Sequence, residues 1–67
     1  MKFMRMEEDG RITGTQVPDV GEQVMVEAFG RANVVDLRHD DFDNYIMLEY
    51  LDIIDAPQTY LERFTVR

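Results

Sequence analysis

Six consecutive residues, His39-Asp40-Asp41-Phe42-Asp43-Asn44, form the densest run of chemically competent side chains in the sequence. Three carboxylates, an imidazole and a carboxamide are donors that hard divalent cations accept. The spacing does not build a known cage. A calcium loop starting at Asp41 needs an oxygen donor at its fifth position and Gly at its sixth, where Tyr45 and Ile46 stand. A hydrated turn is therefore expected, with no metal site. His39 is the single histidine. A general base needs an orienting partner, a pocket and a group to activate. The chain has no Cys and no Ser, and its four Thr lie in strand-like contexts. Gly10, Gly14, Gly21 and Gly30 match no phosphate loop and read as turn residues. Neither catalysis nor a cofactor is expected.

The carboxylates have a second use, as a charged surface. Seven Lys and Arg stand against fourteen Asp and Glu, a net charge of −7. Residues 36–55 carry −6 of it, and residues 1–11 sum to zero. Aromatic residues are interleaved there. Asp36, Asp40, Asp41, Phe42, Asp43, Tyr45, Glu49, Tyr50 and Asp52 form the candidate binding set. Such a surface suits a basic protein partner through electrostatic steering, or serves solubility alone. It argues against direct nucleic-acid binding, which requires a basic face.

Placing those residues requires a fold. A chain of 67 residues makes one small domain, burying about 60% of its unfolded surface. An apolar fraction of 45% is too high for disorder. No disulfide or zinc site can help without Cys, so self-association as a homodimer or larger is expected. Met1–Met6 has no apolar stretch behind it that would make a leader, and no run is long enough for a membrane span. A cytoplasmic protein is expected.

Strand-like segments alternate with turn signals at short spacing. Residues 3–16 read as an N-terminal hairpin around Asp9-Gly10, a pair suited to a type I′ turn, with Gly14 as a candidate bulge. Pro18, Asp19 and Gly21 mark a loop. Residues 23–29 alternate, with Val24 and Val26 on one face and Met25 and Phe29 on the other, and Gly30-Arg31 reads as the next turn. Residues 32–38 return. Residues 45–54 are apolar on both faces, so the Met1–Met6 strand or another subunit should cover the second face. A helix over 44–54 and another over 56–64 form the rival reading. β-branched and aromatic content and the flanking turns favour strand.

Gly21-Glu22-Gln23-Val24-Met25-Val26 followed by Val34-Val35-Asp36-Leu37 resembles the entry of an SH3-like barrel of the KOW or Tudor-like type. Pro57–Phe64 resembles the 3₁₀ turn and last strand that close such barrels. The resemblance covers residues 21–66 and implies an all-β barrel of five or six antiparallel strands. KOW domains that bind RNA carry basic loops, which this chain lacks, so that function is not implied. The expected function is that of a small accessory or inhibitor module, of the kind found in phages and mobile elements, which binds a basic protein without catalysis. The alternative is a small-molecule or nucleotide binder whose pocket forms between subunits.

Overall fold

The computed structural model describes residues 1–54 and 59–67. They form a closed six-strand β-barrel, consistent with an SH3-like small barrel, and contain no helix. The strands are β1 (Lys2–Met6), β2 (Ile12–Gly14), β3 (Gln23–Val26), β4 (Gly30–His39), β5 (Asn44–Tyr50) and β6 (Thr59–Val66). Around the wall they run β1-β2-β6-β5-β4-β3. In the second half Asn44–Tyr50 and Thr59–Val66 are strand rather than helix. The expected 3₁₀ turn begins at Gln58, outside the described residues, while Thr59–Leu61 belong to β6.

Strands β3 to β6 form an antiparallel meander. The β1–β2 hairpin fills the remaining gap, between β3 and β6. Its own pairing is antiparallel, but β1 pairs with β3 and β2 with β6 in parallel, where antiparallel pairing was expected. The cause is topological. The chain leaves β2 and crosses the end of β1 to start β3 on its far side. Two successive reversals bring β3 into the direction of β1, and the meander then brings β6 into the direction of β2.

The crossing loop, residues 15–22, is held by side chains. Glu22 Oε1 accepts from the Asp19 backbone N–H at 2.9 Å and from Lys2 Nζ at 2.9 Å. Pro18 is fully buried at this end of the barrel.

The core follows the two-residue period of half-buried strands. Val24 and Val26 point inward from β3, Ala32 and Val34 from β4, and Ile46, Leu48 and Tyr50 from β5. Met4, Ile12 and Phe64 complete it. Each of the large side chains contributes about 1.5–3 kcal/mol by burial. Gly14 lies in register with Val66, with no bulge, and a Cβ there would meet the Phe64 ring at 3.3 Å. The bulge is in β4 instead, at Val35, between Val34 and Asp36.

Three chain reversals differ from expectation. The first turn is a three-residue loop in which only Gly10 is left-handed (φ 86°), with Gly10 N–H donating to the Glu7 carbonyl at 3.0 Å. That is a type I turn with a Gly bulge rather than a type I′ turn. The second turn is Glu27–Phe29, earlier than Gly30-Arg31, so β3 stops at Val26. Ala28 takes a left-handed φ of 70° there, a conformation no sequence signal marks. The third concerns β5, which ends at Tyr50 rather than Ile54, because Leu51-Asp52 bends away. The outward face of β5 is not covered by the Met1–Met6 strand, which is itself part of the wall.

Candidate functional site

Eight of the nine candidate residues divide between the two ends of β5, and Asp36 lies between them, in register with Met47 at the middle of that strand. Asp40, Asp41, Phe42, Asp43 and Tyr45 gather around the β4–β5 turn, called the tip below. Glu49, Tyr50 and Asp52 lie at the far end, the mouth, about 20 Å away at the rise of an extended strand.

At the tip, Asp40 organises the turn. Its Oδ1 accepts from the backbone N–H of Phe42 at 2.8 Å and of Asp43 at 2.7 Å, and its Oδ2 accepts from the Tyr45 hydroxyl at 2.9 Å. The Asp40 N–H donates to the Asp43 carbonyl at 3.0 Å. The Asp43 amide, then the Phe42 amide and the Tyr45 hydroxyl hold the Asp40 carboxyl below its ordinary value. The same hydrogen bond with Asp40 raises the Tyr45 phenol. Asp36, partway along β4, is engaged locally, pairing with Arg38 Nε at 2.9 Å and accepting from the Leu37 N–H at 2.9 Å. Phe42 is left 90% exposed between Asp41 and Asp43. The turn therefore presents one aromatic side chain with an acid on either side. His39 is exposed at the end of β4, in register with Asn44.

At the mouth the acids serve the fold. Asp52 Oδ2 accepts from the Arg31 backbone N–H at 2.8 Å, and Oδ1 accepts from Arg31 Nη2 at 2.7 Å. The Arg31 side chain first, then its backbone N–H, lower the Asp52 carboxyl to about 2. Gly30 makes room for this clamp. It is left-handed (φ 90°), and a Cβ there would lie 2.6 Å from Asp52 Oδ2. Glu49 lies on the outer face, accepting from Asn33 Nδ2 at 3.3 Å. Tyr50 is a core residue, 6% exposed.

The mouth also brings the candidate Tyr50 together with four residues outside the candidate set. With Phe29, Ile53, Tyr60 and Glu62 it lines a cleft of about 280 Å³. The Tyr50 ring is 5.6 Å from Phe29, inclined at 44°, and 5.8 Å from Tyr60, inclined at 56°. Its hydroxyl donates to Glu62 Oε2 at 3.1 Å. Burial first, and then the Glu62 charge, push the Tyr50 phenol upward. The residues come from the β3–β4 turn, β5, the bend after β5, and β6. One local signal existed: Tyr60, Glu62 and Phe64 alternate along β6, putting an acid between two aromatics on one face.

Among the described residues, no group of three or more His, Asp or Glu is placed to hold a metal ion. No helix among them is long and apolar enough to cross a membrane. Comparison with known protein families, curated proteins and solved structures finds no match.

Proposed function

We propose that the protein is a small accessory or inhibitor module that binds a basic protein partner and performs no catalysis. One observation carries this reading: Phe42, almost fully exposed, on a turn that Asp40 locks from three sides. An exposed aromatic on a preformed turn loses little conformational freedom on binding and is a typical interface anchor. Asp41 and Asp43 beside it favour a basic counterpart and speed encounter. The strand and turn order of residues 21–66 supports kinship with SH3-like barrels of the KOW or Tudor-like kind, which fits a binding role.

Self-association is part of the proposal. The register sets Met47 beside Leu61 on the outer face of β5 and β6, and Leu61 is exposed. A second copy would cover that face, and a cytoplasmic setting is part of the same proposal.

The test is capture by the immobilised protein, with the retained proteins identified by mass spectrometry. The expected result is one basic protein whose retention falls with added salt and is lost with Phe42→Ser. The Asp41→Asn/Asp43→Asn double variant should slow association more than it speeds dissociation. If wild type and Phe42→Ser retain the same proteins equally, the reading is wrong.

A further inference from the structure

We propose that the partner of the acidic tip presents an extended, basic chain segment, which adds as a strand to the free edge of β4. The charge of that segment rests on the tip reading, and the edge rests on the backbone of β4.

The first observation is a mismatch in strand length. A closed barrel has no edge only where its neighbouring strands run side by side. β4 runs for ten residues, Gly30–His39, and β3 for four, Gln23–Val26. β3 pairs with β4 from Gly30 to Asn33. The loop before it adds two bonds, from the Gly21 N–H to the Val34 carbonyl at 2.7 Å and from the Val34 N–H to the Glu22 carbonyl at 2.9 Å. The Glu22 N–H bonds back to the Asp19 carbonyl at 3.1 Å, so the chain turns there. Beyond Val34, among the described strands, β4 pairs with β5 alone.

The second observation is which backbone groups face the free side. The Asp40 N–H crosses the hairpin to the Asp43 carbonyl at 3.0 Å. Antiparallel strands alternate bonded and non-bonded pairs. Arg38 with Tyr45 and Asp36 with Met47 are therefore bonded pairs, and Leu37 and His39 turn their N–H and carbonyl groups away from β5. The Asp36 side chain agrees with this. Its Oδ1 accepts from the Leu37 N–H at 2.9 Å, a bond open to an amide that β5 does not use. The Leu37 carbonyl and both backbone groups of His39 are left for an added strand. Leu37 and His39 are exposed.

Charge selects the occupant. Residues 36–43 hold four Asp against one Arg. Antiparallel pairing of this edge with the same edge of a second copy would set those acids against each other. An extended segment with Lys or Arg at alternate positions meets Asp36 and the tip acids instead. Main-chain hydrogen bonds then hold the segment, and its side chains decide which segment is held. Asp36 caps the edge against indiscriminate pairing until such a segment arrives.

The experiment titrates the blocked pentapeptide Lys-Val-Lys-Val-Lys into isotope-labelled protein and follows the backbone amides by NMR. Two analogues carry backbone N-methyl groups, one on its Lys residues and the other on its Val residues. Each loses the donors of one edge of the extended peptide and keeps the side chains and the charge. A Glu-Val-Glu-Val-Glu peptide is run in parallel. We expect saturable shifts centred on residues 37–39. One analogue should bind about tenfold more weakly, the scale of one or two main-chain hydrogen bonds, and the other nearly as well as the parent. Phe42→Ser should leave the parent peptide's binding unchanged. Equal weakening by both analogues, no saturation, or equal binding of the Glu peptide overturns the proposal. Shifts confined to residues 40–43 and equal for both analogues overturn strand addition and leave the tip reading standing. Selective weakening by one analogue, with no basic protein captured by the immobilised protein, upholds the edge and overturns the tip reading.

Discussion

The two ends of β5 use the same residue types for different purposes. At the tip, an acid builds the turn and an aromatic points into solvent. At the mouth, an acid clamps the bend, and aromatics close the core around a cleft. In both places one Asp accepts several hydrogen bonds and is held ionised, Asp40 by the turn amides and Asp52 by Arg31. The difference lies in the aromatics. Phe42 touches almost nothing, whereas Tyr50 contacts two other rings and a carboxylate. Carboxylates this close in sequence can be structural or available, and only their partners distinguish them.

Substitution of the two aromatics tests that contrast most strongly. Tyr50→Ala should destabilise the fold by about 3–5 kcal/mol, the scale of a truncated buried aromatic. Phe42→Ala should stay within about 0.5 kcal/mol, as for an exposed position. Urea unfolding of both variants measures the pair. A large loss with Phe42→Ala would mean that the tip is a packed element.

Next in size is the mouth clamp. Gly30→Ala should cost about 1–2 kcal/mol for the left-handed backbone alone, and more for displacing Asp52. Thermal melting reads this directly, and an unchanged midpoint would show that the clamp is not needed.

The smallest effect is in the acid limb of the stability curve. The folded Asp52 carboxyl is lowered from 3.8 to about 2. Its contribution is complete above its unfolded value, and is lost as pH falls from about 4 through about 2. Asp52→Asn should flatten that limb of a pH series of melting curves. Asp40→Asn should flatten it less. The reverse order would place the more strongly held acid at the tip.

Much of the wall was legible from alternation. Val24 and Val26, and Ile46, Leu48 and Tyr50, point where a two-residue period puts them. The parallel seams were not legible, because they depend on which side of β1 the crossing loop returns, a long-range choice with no local signature. The Val35 bulge was hidden because both Val34 and Val35 suit a strand. Ala28 concealed its turn because Ala rarely adopts a left-handed backbone. The acidic run read as one surface because its residues are close in sequence. A seven-residue strand then separates Asp43 from Asp52. Conversely, Phe29, Tyr50 and Tyr60 are distant in sequence and meet only when the barrel closes.

Closure has a kinetic side. The seam between β2 and β6 joins residues 12–14 to residues 64–66. Contacts between such distant positions carry a large loop-closure entropy and slow folding. Until β6 docks, the hairpin has an open edge with unpaired amides and carbonyls, a template for other chains. The early-made part of this protein is therefore vulnerable for as long as its last strand is missing. Removing residues 64–66 would leave that edge open and also take Phe64 out of the core.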